Sequence, residues 1–143
     1  MTTKKKRQGG FTILEVLVAI SILTVGLLAV ASMQVSGMRT NAYARNVTEG
    51  MNLAQDKLEE LIALPYDDPN NLGLHDVDND GLLGLGNAMV GTADYSETQD
   101  YFTIFWNIAE NQPVANSKTI RILVNWQDRG GTKQVVLNYI RSG

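Results

Sequence analysis

Eighteen consecutive residues, Val16–Met33, carry neither a charge nor a proline. Only Ser21, Thr24, Gly26 and Ser32 interrupt the apolar run. As a helix rising about 1.5 Å per residue, the run spans roughly 27 Å. That is close to the hydrocarbon thickness of a bilayer, about 30 Å. A segment like this must be covered by lipid or by other protein.

The flanks give the segment a direction. Residues 1–10, MTTKKKRQGG, hold Lys4, Lys5, Lys6 and Arg7 and no acid. Such a basic run is retained on the cytoplasmic side of a membrane. A secretory signal peptide also begins with a basic stretch, but it ends in a small-residue cleavage site after the apolar run. Here Gly9 and Gly10 precede the run, and no clean A-x-A site follows it.

Beyond Met33 the pattern changes without a break. Val35, Met38, Ala42, Val47, Met51, Ala54, Leu58 and Leu61 recur at steps of three to five, which marks an amphipathic helix. Pro65 is the first proline. The pattern predicts one helix from about Phe11 to Leu64, all-apolar in its first half and one-faced in its second. Gly26, Gly37 and Gly50 each weaken it by ~1 kcal/mol and permit bending or close packing.

Residues 65–100 read as loop, rich in Gly, Asp and Asn. Three strands follow, each with one apolar face: Phe102, Ile104, Trp106 and Ile108; Ile120, Ile122, Val124 and Trp126; Val135, Leu137 and Tyr139. The turn 127–131 joins the last two as a hairpin. The expected fold is α+β, with a long N-terminal helix packed on a small antiparallel sheet of three or more strands. The expected organisation is a leader at 1–10, an apolar helix at 11–33, an amphipathic helix at 34–64, and a head at 65–143 built with that second helix.

Charge and composition narrow the function. The net charge is −3, and it becomes −7 without the leader, from 8 basic and 15 acidic residues. Between Asp56 and Glu110 there are twelve acids and one base, Lys57. Nucleic acid is therefore not an expected partner, because binding it needs Lys and Arg to neutralise phosphates. The absence of cysteine excludes disulfides and Cys-ligated zinc. No catalytic triad, P-loop or dinucleotide fingerprint is discernible, so no enzyme is expected.

At Gly10-Phe11-Thr12-Ile13-Leu14-Glu15 the chain resembles the cleavage and methylation segment of type IV pilins and type II secretion pseudopilins. A basic leader ending in glycine, then phenylalanine, then Glu15 and a long apolar helix carry the resemblance. It is strong over residues 1 to about 35 and one of outline beyond. VLVAISILTVGLLAVASMQ, followed later by LEELIALPYDD, looks most like minor pilins of the PilV kind.

The resemblance implies cleavage between Gly10 and Phe11 by a prepilin peptidase, which also methylates the Phe11 amine. It implies residence as a single-pass inner-membrane protein with a cytoplasmic N-terminus. The assembly machinery then packs the subunit with other pilins into an extracellular helical filament. The chain lacks the proline that many major pilins carry about twenty residues into the mature helix, and their C-terminal cysteine pair. Both departures favour a minor pilin. A secretion pseudopilin and a membrane-tethered, Ca²⁺-dependent adhesin that never polymerises are the alternatives.

Two sites stand out against plain structural readings. Glu15 costs ~2.5–3.5 kcal/mol at mid-bilayer and less near an end. The helix dipole returns only ~0.3–1 kcal/mol. Pairing with its own Phe11 amine, or with that of a neighbouring subunit, would remove two buried charges together. Asp76-Val77-Asp78-Asn79-Asp80-Gly81 matches the first half of an EF-hand-type Ca²⁺ loop. The next ligand would be the Leu82 carbonyl, and Leu83 is apolar as such loops prefer. Position twelve is Asn87, so a bidentate carboxylate has to come from Asp94, Glu97 or Asp100. The plain alternative is a solvated turn. No cofactor is required, and Ca²⁺ is the one ion suggested. His75 reads as a surface residue, and Trp106 and Trp126 as core.

Overall fold

The structure, a computed structural model, describes residues 10–67, 70 and 73–143. The basic residues 4–7 and Gly9 of the sequence reading lie outside these. Helix α1 runs Ile13–Ala63. The chain divides between Tyr43 and Ala44 into two compact units.

In the first unit the helix has no buried residue among those described. Its most apolar window has a mean hydropathy of 2.6 and is wholly exposed within the chain. The polar side chains are internally satisfied. Ser21 Oγ donates to Leu17 O and Thr24 Oγ1 to Ile20 O, both at 2.8 Å, and Ser32 Oγ donates to Ala29 O. A hydroxyl bonded back to its own helix adds little cost in an apolar medium. Val35, Met38 and Ala42, read from sequence as the start of the stripe facing the sheet, are exposed. The packed stripe begins only at Val47.

In the second unit the end of α1 covers one face of a four-stranded antiparallel sheet: β1 (Tyr95–Gln99), β2 (Phe102–Glu110), β3 (Ser117–Asp128) and β4 (Gly131–Ser142). The strand order is the chain order, β1-β2-β3-β4. Ala54 and Leu61 are buried against Phe102, Ile104, Trp106, Ile108, Ile120, Ile122, Val124 and Trp126. The alternating faces read from the sequence thus form the core, with both tryptophans in it, except on the edge strand β4, where Leu137 is only partly buried and Tyr139 is exposed. Gly50 is buried at the crossing. A Cβ there would stand 3.3 Å from Val135 Cγ2 and 3.5 Å from Trp126, which is the close packing a glycine allows.

The helix stops where Pro65 removes a donor. Its last carbonyls are closed by Arg141, which donates to Leu61 O at 3.2 Å and Leu64 O at 2.8 Å. Strands β3 and β4 turn through Arg129 and Gly130, with Gly131 at φ +106°.

The structure corrects the loop assigned to 65–100 in two places. Tyr95–Gln99 is a fourth strand, and Gly81–Gly86 is a short 3₁₀ helix. That helix packs on the outer face of β2, where Phe105, Asn107 and Ala109 are buried as well. The buried Asn107 is fully used: its amide donates to Leu85 O and Asn87 O, and its oxygen accepts from Asp94 N–H. β2 is therefore covered on both faces, whereas its sequence alternation suggested one.

Candidate functional site

Gly10 and Phe11 lie ahead of the first helical turn, and Phe11 is 83% exposed. Thr12 is the helix cap. Glu15 N–H donates to Thr12 Oγ1 at 3.2 Å and to Thr12 O at 3.1 Å. This is the first half of a capping box, T-x-x-E, in which the hydroxyl satisfies an otherwise orphan N–H at the third helical position. The T-x-x-E spacing from Thr12 to Glu15 is the sequence signal for this cap. The cap sets the helix start just after the Gly10–Phe11 bond, so that bond sits in non-helical, unburied chain. Phe11, Glu15, Val16, Ala19, Ile20 and Leu23 line one open concavity of about 460 Å³. Glu15 thus shares a face with Phe11 on an otherwise apolar surface.

The acidic turn closes as its Asp and Gly residues dictate. Asp76 accepts from the N–H groups of Asp80 and Gly81, at 3.1 and 2.9 Å. Asn79 and Gly81 adopt φ of 58° and 59°, a left-handed region open to Asn and Gly. One carboxylate oxygen from each of Asp76, Asp78 and Asp80 lies within 4.8 Å of the other two. Gly84 makes room for the third: a Cβ there would fall on the Asp80 carboxylate.

The rest of the expected ligand set is only partly assembled. Leu82 sits inside the 3₁₀ helix, and Leu83 is 92% exposed instead of packed. Asn87 turns its amide nitrogen to Asp80 Oδ2 at 3.0 Å and to Thr92 O at 2.7 Å. Of the three acids that could complete the set, Glu97 is held by Lys57, and Asp100 lies between β1 and β2. Asp94 does approach, but its oxygens accept from Val77 N–H at 2.8 Å and Ile108 N–H at 2.7 Å. It therefore clips the acidic turn to β2.

Crowding of like charges shows in the acid strengths. Desolvation, then the charges of Asp78 and Asp76, raises the Asp80 carboxyl above its ordinary value. Asp94 is raised by burial and by Asp76 and Asp78, against the opposing hydrogen bonds from Ile108 and Val77. Three clustered carboxylates can hold a hard cation, whose preferred ligands are oxygens.

The one base of the acidic stretch, Lys57, is buried under the sheet edge. Its Nζ lies 2.6 Å from both Glu60 and Glu97 and 4.7 Å from the Trp106 ring centroid. Elsewhere, His75 Nδ1 is 2.9 Å from Glu110 Oε1, and buried Lys118 donates to Leu74 O. These join Tyr66, Asp67, Asn111 and Asn116 around a concavity of about 220 Å³. His75 is half-buried with a carboxylate partner, a refinement of its surface reading.

Residues 5–31 match the family model described as the prokaryotic N-terminal methylation motif. Among curated proteins and solved structures, none matches the chain.

Proposed function

We propose, for a chain that carries the prepilin-type N-terminal segment of the type IV pilin family at residues 5–31, that it is a minor pilin of a cell-surface filament. The motif supports a pilin-like or pseudopilin subunit, whose role is structural. The long helix on an antiparallel sheet is the corresponding α+β architecture. The observation that supports the filament reading is the wholly exposed apolar helix with Glu15 and Phe11 on one face.

In this reading the inner membrane covers the helix first. The peptidase cuts Gly10–Phe11 and methylates the new amine, and neighbouring subunits replace the lipid. Glu15 pairs with the Phe11 amine of an adjacent subunit, which cancels two charges in an apolar filament core and fixes the axial register.

Glu15→Leu tests this. A mere membrane anchor gains from losing the charge. A filament subunit leaves a neighbour's amine unpaired, and breaking one side of a buried pair costs ~3–5 kcal/mol. At tenfold per 1.4 kcal/mol, the variant should be cleaved, stable and membrane-resident, yet depleted from sheared filaments by orders of magnitude. Normal incorporation of Glu15→Leu would contradict the pairing role.

The proposal extends to a Ca²⁺ ion at the turn Asp76–Gly81. Three converging carboxylates and the space left by Gly84 support it. With Asn87 donating to Asp80 and Asp94 engaged by backbone, affinity falls in the weak, extracellular range of about 10⁻⁴–10⁻³ M.

A further inference from the structure

The cup of about 220 Å³ lies where β2 turns into β3, and the chain following α1 supplies its other wall. Its lining comes from three separate stretches, 66–75, 110–111 and 116–118, and every lining side chain carries a hydrogen-bonding group. Small-molecule sites are for the most part apolar with a few polar anchors. A cup with no aliphatic wall selects a different kind of ligand.

The walls are built before any ligand arrives. Lys118, 5% exposed, donates to Leu74 O at 2.7 Å and lies 3.4 Å from Glu110 Oε1. His75 Nδ1 meets the same oxygen at 2.9 Å. The Tyr66 ring is held by two cations, Lys118 Nζ at 5.2 Å and Arg141 Cζ at 5.7 Å from its centroid. Asn111 and Asn116 adopt φ of 56° and 60°, the left-handed region that Asn tolerates. Asn116 N–H donates to Asn111 Oδ1 at 3.3 Å, and Thr119 Oγ1 donates to Gln112 O at 2.9 Å. Groups that are already ordered lower the cost of binding.

The unspent groups define the ligand. The positive charge is committed, since Lys118 and His75 both face Glu110 Oε1. Among the described residues, Asp67, Glu110 Oε2, the Asn111 amide nitrogen and the Asn116 side-chain amide have no hydrogen-bond partner. An anion would meet two carboxylates and no uncommitted base, a like-charge arrangement that rejects it. An apolar molecule would strip water from these groups and return no hydrogen bond. An ammonium would suit the carboxylates but bring no acceptor for the amide donors. Hydroxyls both donate and accept, so adjacent hydroxyls on one ring satisfy carboxylates and amides together. The volume is below the roughly 300–1,000 Å³ of sites for drug-sized ligands, which suits a single ring.

We propose that this cup binds one neutral sugar unit of a glycan. The proposal depends on neither the filament reading nor the Ca²⁺ reading. His75 is the one histidine of the chain, so its ring signals in an NMR spectrum need no assignment. The test uses the full-length chain without a histidine tag, in a detergent that has no sugar headgroup. Methyl glycosides of glucose, galactose, mannose and N-acetylglucosamine are titrated at fixed pH, with glucuronic acid and glucosamine as the anionic and cationic arms. At least one neutral glycoside should shift the His75 ring signals saturably in the millimolar range, and glucuronic acid and glucosamine should bind at least tenfold more weakly. Asn116→Ala and Asp67→Ala should each weaken the neutral glycoside at least tenfold, because each leaves a ligand hydroxyl without its partner. Asp67 makes no contact with another described side chain, so Asp67→Ala keeps the test valid if Asn116→Ala disturbs the turn.

Three results overturn the proposal. The first is no saturable shift with any of the neutral glycosides at tens of millimolar, which leaves the cup to water. The second is binding that Asp67→Ala does not change. The third is glucuronic acid or glucosamine binding as tightly as the neutral sugars.

Discussion

The Lys57 ammonium on α1 lies 2.6 Å from the Glu97 carboxylate on edge strand β1. That contact fastens the strand with the least apolar sequence, YSETQ, to the helix. Glu97 is half exposed, so its removal leaves Lys57 with Glu60 and costs modestly. Glu97→Gln should destabilise a fragment of residues 44–143 by about 1 kcal/mol. Urea denaturation of this compact unit measures it; no change in the midpoint would mean that β1 is held by its ladder alone.

Titration gives a second reading of the same contact. Burial works to lower the Lys57 pKa, but the hydrogen bonds and charges of Glu60 and Glu97 prevail and raise it above 10.5. A base raised on folding adds stability that is fully present below its unfolded value and lost as pH rises through the folded one. Wild-type stability should therefore fall above about pH 10.5, and Lys57→Gln should flatten that part of the profile. Parallel profiles for the two proteins would contradict the assignment.

Arg141 closes the C-terminus of α1 through the carbonyls of Leu61 and Leu64. Charge-assisted bonds to last-turn carbonyls suggest a loss of about 1–2 kcal/mol for Arg141→Ala. Arg141→Lys should recover part of it. Hydrogen exchange should show faster opening of amides near residues 58–64 in Arg141→Ala, whereas a uniform change across the unit would argue against a local cap.

At Gly50 two effects oppose each other. Alanine gains ~1 kcal/mol of helix propensity, and its Cβ meets Val135 Cγ2 at a tight 3.3 Å. Gly50→Ala should stay within about 1 kcal/mol of wild type. Gly50→Leu has nowhere to go between Val135, Trp126 and Phe102 and should lose about 1–3 kcal/mol by overpacking. Thermal unfolding distinguishes them; tolerance of leucine would mean that the crossing is looser than described.

These sites show what the sequence could and could not convey. The anchor helix was legible because eighteen uncharged residues admit few alternatives, and β2–β4 because period-two alternation is unambiguous in Phe102–Ile108 and Ile120–Trp126. β1 was not, since YSETQ has no apolar alternation and is held by neighbours: its ladder, Lys57, and Tyr95 stacked on Trp106 at 5.3 Å. The outer cover of β2 was hidden for a similar reason. Asn107 reads as a solvated residue until the carbonyls of Leu85 and Asn87 arrive from a distant loop. At the acidic turn the ligand types were legible in sequence, whereas the rotation of Asn87 toward Asp80 and the capture of Asp94 by the backbone of Val77 and Ile108 depend on contacts between segments distant in the chain.

Calcium binding at that turn has a pH signature. Asp80 and Asp94 are raised above the ordinary value near 3.8 by burial and by neighbouring acids. An acid raised on folding disfavours the charged fold, so without metal the unit should gain stability as pH falls from neutrality toward that value. Protons and Ca²⁺ then compete for the same oxygens, and Ca²⁺ affinity should weaken over the same range. Calorimetry on the 44–143 unit at pH 7 should detect binding at millimolar Ca²⁺. Asp78→Ala and Gly84→Ala should each weaken it, the latter by displacing the Asp80 carboxylate. No heat and no thermal shift at millimolar Ca²⁺ would leave the segment as a turn only.

In the proposed function the chain is cut at the membrane face and carried into a filament by its exposed helix. Intact-mass analysis of the protein in sheared surface filaments tests it most directly. The expected chain begins at Phe11, with one methyl group on its amine and without residues 1–10. Filament-borne protein that retains the leader, or filaments that never contain the chain, would contradict it.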